Sequence, residues 1–137
     1  METLEEIKKI IDWWFNLKKG YNSIDHLMEV NRKLSGHCYY LAEFLADNYQ
    51  DYLFYYSKRK IGEIKKKQHL IENESFSAAK AESYARASIM DELQNEIIQE
   101  GNYERIKVLL RQANLIIQQI DNKIYRLRKE QEQTKKD

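Results

Sequence analysis

The sequence predicts an all-α fold: an elongated antiparallel helical hairpin of coiled-coil type, with a short amphipathic helix at its N-terminus, self-associating into a bundle. Three observations lead there. The 137 residues include no proline and only four glycines, too little turn chemistry to close the many hairpins of a β-sandwich or barrel. Apolar residues recur at spacings of three and four over residues 27–56 and again over 103–127, the period of an amphipathic helix. Charge is segregated, basic at 58–67 and acidic at 75–101, so these blocks neutralise one another only if the chain folds back on itself.

The length is just under the roughly 150 residues of an average domain and predicts one helical domain over 1–128, followed by a frayed polar tail over 129–137. The formal net charge is only +1. No global field draws the chain to nucleic acid or membrane, and any electrostatic role must be local.

The first helix is expected over about 3–19. Thr3 and Glu6 have capping-box spacing, Leu4, Ile7, Ile11 and Trp14 follow at helical intervals, and Lys18-Lys19-Gly20 supplies a C-terminal signal. This stretch lacks the uninterrupted apolar core of a signal peptide, and no uncharged apolar run approaches the roughly 18 residues that span a bilayer. A soluble cytoplasmic protein without membrane association is expected.

The second helix is expected over about 22–72. Leu27, Val30, Leu34, Cys38, Leu41, Leu45, Tyr49, Tyr52 and Tyr56 follow an eleven-residue repeat, which keeps one stripe on one face of a nearly straight helix. The stripe crosses Gly36 without a phase change, so the helix is continuous there or at most bent, and about 75 Å long. Asn73-Glu74-Ser75-Phe76-Ser77 clusters cap-forming residues and reads as the loop.

An alanine-rich third helix is expected over about 77–100. Gly101-Asn102 marks a break, and a fourth helix runs over about 102–130. Its residues Tyr103, Ile106, Leu110, Ala113, Ile117, Ile120, Ile124 and Leu127 form a heptad seam. A loop centred near 74 or 75 pairs residue i with about 149 − i. Tyr52 then meets Ile97, Tyr56 meets Leu93, Leu41 meets Val108, and Leu34 meets Leu115. The bases Lys58, Arg59, Lys60 and Lys65 to Lys67 fall opposite Glu82, Asp91, Glu92 and Glu96. The first helix, with Trp13, Trp14 and Phe15, lies across the open end. Apolar surface beyond what one hairpin covers predicts a homo-oligomer, with Leu109, Ile116, Ile120 and Leu127 as the self-association residues.

No catalytic, cofactor or metal residues are assigned. His26, His37 and His69 lack metal-ligand spacing, and the adjacent His37 and Cys38 point about 100° apart on a helix. The glycines at 20, 36, 62 and 101 form no phosphate loop. The single cysteine excludes an internal disulfide. A non-enzymatic protein that binds a protein partner is the first expectation. The alternative is direct single-stranded nucleic-acid binding, with Tyr49, Tyr52, Tyr55 and Tyr56 stacking beside a lysine-rich groove. Tyr55, Lys58, Arg59, Lys65, Lys66, Arg126 and Lys129 are the candidate contacts for partner or nucleic acid.

The string Ser77-Ala78-Ala79-Lys80-Ala81-Glu82-Ser83-Tyr84-Ala85-Arg86-Ala87, between a Tyr/Lys-rich helix and a Leu/Ile heptad helix, resembles a feature of small bacteriophage helical-hairpin and coiled-coil proteins. The resemblance covers about residues 38–128. It implies a non-enzymatic phage accessory factor in the host cytoplasm, working in DNA recombination or replication or inhibiting a host protein. It carries over no functional residue.

Overall fold

The structure is a computed structural model and describes residues 2–18 and 20–136, with the backbone alone at Lys136. Its regular elements are all helical: α1 (Glu2–Phe15), α2 (Ile24–Asn73), α3 (Ala78–Ser88) and α4 (Met90–Lys136). α2 packs mainly against α4 as the two arms of a hairpin.

α1 starts one residue before the expected cap. Thr3 lies inside the helix, Glu2 and Glu5 occupy the first turn, where acids suit the helix dipole, and Glu6 pairs with Lys9 at 3.2 Å. The helix also ends earlier than residue 19. Asn16 Nδ2 donates to the Asp12 carbonyl (2.8 Å) and Leu17 N–H to the Trp14 carbonyl (3.2 Å), which satisfies the last turn without the lysines. Gly20 has φ +91°, a conformation that favours glycine. Lys19 of the expected stop signal lies outside the described residues.

α2 is unbroken through Gly36, where an added Cβ would meet nothing within 4 Å. The loop after it uses Ser75 in the left-handed region (φ 56°), and the Phe76 N–H returns to the Leu70 carbonyl at 3.1 Å. Ser77 caps α3, its Oγ accepting from Lys80 N–H at 3.3 Å, as a serine at that position should.

The break expected at Gly101-Asn102 lies instead at Ile89. Ser88 Oγ bonds back to the Ala85 carbonyl (2.7 Å), Ile89 N–H bonds to Arg86, and Leu93 N–H restarts the ladder on Ile89. Ile89 is buried, and its Cγ2 lies 3.8 Å from where a Cβ on Gly62 would stand. Packing at this bend outweighs the roughly 1 kcal/mol that an interior glycine costs, so α4 runs straight through Gly101. The C-terminal stretch expected to fray continues as helix to Lys136. Its Lys, Glu and Gln are good helix formers, and they extend a helix already nucleated.

The chain divides into two compact units, Met1–Phe44 with Ile106–Asp137, and Leu45–Arg105. The first is a three-helix unit. α1 buries Ile7 and Ile11, α2 buries Leu27, Leu34, Cys38 and Leu41, and α4 buries Ile106, Ala113, Ile116, Ile120 and Ile124. The heptad seam read for the last helix thus faces the core. Burying each large aliphatic side chain contributes about 1.5–3 kcal/mol. Trp14 Nε1 donates to Gln119 Oε1 (2.7 Å) and Asn31 Nδ2 to Asp121 Oδ1 (2.6 Å), tying α1 and α2 to α4. Trp13 packs edge-on against Tyr21 and His26.

The second unit is formed by the rest of α2, by α3 and by the start of α4. Its covered side chains are Leu70, Ala81, Ala85 and Ile89, together with the charged Glu96. The small alanines let α3 approach α2 closely. Tyr49 stacks on Tyr103 with ring centres 5.1 Å apart, and Tyr52 and Tyr55 are half-buried. Tyr49 and Tyr56, expected on the inner stripe, are exposed. The inward line here steps by sevens, through Asn48, Tyr55 and Gly62, as pairing with the seven-residue repeat of α4 requires.

The hairpin register is displaced. Tyr49 faces Tyr103, Asn31 faces Asp121 and Gly62 faces Ile89, so partners follow about 152 − i. α2 ends at Asn73 and α3 begins at Ala78. The turn is therefore centred past residue 75, and each residue of displacement shifts the pairing by two. Ile97, Val108 and Leu115, expected to pack against α2, are exposed as a result.

A candidate interaction face on α2

α2 carries a second apolar stripe within the second unit. Gln50, Phe54, Ser57, Ile61, Ile64, Gln68 and Ile71 alternate steps of four and three, a strict heptad. Phe54 and Ile61 lie about 160° around the helix from Tyr52 and Arg59, which face α4. The stripe is therefore open: Phe54 and Ile64 are each 62% exposed and Ile61 is 53% exposed. Ile64, Lys67, Gln68, Ile71 and Glu72 line a shallow depression along it. Lys58 and Lys65 flank it on one side, and Lys60 and Lys67 on the other. Among the described residues Lys58, Lys65 and Lys66 make no ion pair and are exposed.

The inner side of the same segment is polar in a different way. Arg59 Nε donates to Glu96 Oε2, and its Nη2 donates to Glu96 Oε1 at 3.2 Å. Glu63 lies 3.6 Å from both Arg59 and Arg86, and Arg86 also pairs with Glu82 at 2.9 Å. The hydrogen bond to Glu96 is the first cause that raises the Arg59 pKa, so the guanidinium stays charged inside the hairpin. Of the bases expected to face acids across the hairpin, Arg59 does so. Arg86 and Glu63 make the second cross-pair with the charges reversed.

The residues singled out from the sequence separate accordingly. Lys58, Lys65 and Lys66 stand free on the surface, while Tyr55 is half-buried and Arg59 is engaged by two carboxylates. Arg126 and Lys129 are exposed on α4 in the first unit. Arg126 lines a groove with Tyr21, Lys123 and Leu127, and Lys129 Nζ sits 4.8 Å over the Tyr125 ring. Of the expected self-association residues, Leu109 and Leu127 are half-buried, whereas Ile116 and Ile120 are covered completely by the chain's own core. That coverage removes Ile116 and Ile120 from any surface contact. The open apolar residues on α4 in that unit are Val108, Leu115 and Tyr125.

The histidines serve local structure. The Tyr21 hydroxyl bonds His26 Nδ1, and Asn73 Nδ2 donates to His69 Nδ1 at 2.9 Å. Burial pushes the Cys38 thiol above its ordinary range. Among the described residues no group of three or more His, Cys, Asp or Glu could hold a metal ion, and no helix is long and apolar enough to cross a membrane.

The outer stripe on α2 was present in the sequence as a second three-four series. It escapes notice because the tyrosine series at 49, 52 and 56 matches the helical period equally well. No protein-family model, curated protein or solved structure matches the chain.

Proposed function

We propose that this chain is a non-catalytic helical interaction protein that acts by binding protein surfaces, another protein and further copies of itself. The observation that supports this is the open heptad on α2. An amphipathic helix ordinarily covers its apolar stripe, and a contiguous exposed apolar patch rimmed by charge is the mark of a protein contact. The second unit has few buried aliphatic side chains of its own, so a covering protein would also stabilise it. The resemblance to small phage proteins supports an accessory role in the host cytoplasm, in DNA recombination or replication or as an inhibitor of a host protein.

The test is affinity capture from source cells with the wild-type chain and with a Phe54→Ser/Ile61→Ser variant of unchanged circular dichroism. A partner held by the wild type and lost by the variant is the expected result. Identical captured proteins from both would overturn the reading. Direct single-strand binding keeps support from the unpaired Lys58, Lys65 and Lys66 and from the exposed Tyr49 and Tyr56, although the half-buried Tyr52 and Tyr55 offer little stacking face. Anisotropy of a labelled oligonucleotide at two salt concentrations separates the two readings. Steep loss of affinity with salt would favour phosphate contacts, and no binding at low salt would eliminate them.

A further inference from the structure

We infer that the basic-flanked stripe on α2 is occupied by the acidic-flanked stripe of α4 from a second copy of this chain, so that copies stack front to back. The inference rests on the protein-binding reading above and names the surface and its occupant. In the second unit α4 has its own open stripe, where Met90, Ile97 and Ile98 are each about half exposed or more. Gln94 and Gly101 continue it at heptad spacing. Between Met90 and Gly101 its borders are acidic, with Asp91 on one side and Glu100 on the other, both exposed; beyond Gly101 the row continues with Glu104 and the exposed base Arg105.

Charge decides which surfaces meet. Two α2 stripes face to face would bring Lys58, Lys60, Lys65 and Lys67 against their own kind, and two α4 stripes would do the same with carboxylates. Flanking charges in helix pairs select partners by this rule. The α2 stripe against the α4 stripe places lysine opposite carboxylate on both borders. Lengths agree as well. Phe54 to Ile64 and Met90 to Gly101 each extend about 15–17 Å along their helices.

The two stripes lie on opposite sides of the unit. Phe54 and Ile61 point away from the residues of α2 that touch α4, and Met90 and Ile97 lie more than about 100° around α4 from Glu96 and Tyr103. A contact between unlike faces is heterologous, and one copy cannot satisfy both of its stripes with a single partner. Such contacts build rings if the rotation closes and open arrays if it does not.

Sedimentation velocity on the full chain tests this over a concentration series into the hundreds of micromolar. The wild type should form species larger than a dimer that grow with concentration. Ile64→Asp and Ile97→Asp alter exposed side chains, each disabling one stripe. Each variant alone should be monomeric, while an equimolar mixture should form a dimer, because one intact α2 stripe then meets one intact α4 stripe. Lys58→Glu with Lys65→Glu should weaken wild-type association at least about tenfold without touching an apolar residue. A monomeric wild type overturns the inference. So does association of Ile97→Asp alone, which would mean α2 meeting α2, or of Ile64→Asp alone. A monomeric wild type that still captures a foreign partner overturns the stacking only. A stacking chain that captures none overturns only the foreign-partner part of the proposed function.

Discussion

Arg59 on α2 holds the carboxylate of Glu96 on α4 through two guanidinium nitrogens, with Glu96 buried and the Arg59 side chain largely covered. This bidentate pair sits on the inner face of the second unit, with the guanidinium 5.4 Å from the centre of the Tyr56 ring. A pair in that setting fixes the facing of two helices more than it adds net stability, because desolvation offsets much of the attraction.

Removing one partner should therefore be worse than removing both. Arg59→Leu leaves a buried carboxylate and should destabilise by about 3 kcal/mol, as should Glu96→Leu, with Glu63 softening the second case. The double variant Arg59→Leu/Glu96→Leu should recover most of that loss. Urea denaturation of the four proteins reads the coupling. Additive single effects would show that the pair does not act as a unit.

Gly36 and Gly101 both lie inside helices with open space where a Cβ would go. Gly36→Ala and Gly101→Ala should each stabilise by about 1 kcal/mol through helix propensity alone, visible as higher denaturation midpoints. Gly20→Ala should do the reverse, because its φ of +91° is strained for any side chain.

The loop between α2 and α3 offers a pair of opposite effects. Ser75 pays for its left-handed backbone, so Ser75→Gly should raise stability by several tenths of a kcal/mol. Ser77→Ala removes the cap on Lys80 N–H and should lower it by about 1 kcal/mol. Thermal melts in one buffer suffice for both.

Alkaline pH should destabilise the fold. Cys38 is raised above its ordinary 9.0 by burial, and Tyr52 above its ordinary 10.0 by burial first and then by the carboxylates of Glu100 and Glu96. The unfolded chain sheds these protons sooner than the folded one. Their contribution is therefore fully present below about pH 9 and is lost as pH rises through the raised folded values. Denaturation midpoints should fall above pH 9, and less steeply in a Cys38→Ala/Tyr52→Phe variant. A thiol reagent at pH 8 should label native Cys38 far more slowly than the denatured chain.

Much of the fold was legible because it depends on local pattern. The seam from Ile106 to Leu127 faces inward in the first unit as its heptads require, and the Ser77 cap sits where a serine before an alanine-rich helix belongs. Gly101 misled because its propensity cost is smaller than the packing gain at Ile89. The register moved because it hangs on the centre of a four-residue loop, which composition places only to within a residue or so. Of the expected contact residues, Lys58 and Lys65 lie on the open face. Arg59, adjacent in sequence, points the other way into a pair that no spacing rule announces.

The sequence by itself determined helices, their approximate number and the segregation of charge, since period, capping residues and the lack of proline act within a turn or two of chain. Only the tertiary structure decided which of the two stripes on α2 faces α4. Both follow helical spacing and both are apolar. The choice rests on what α4 presents: Glu96, which requires Arg59 opposite, and a seven-residue seam that draws in Asn48, Tyr55 and Gly62. The stripe through Phe54, Ile61 and Ile64 was left outside by that choice.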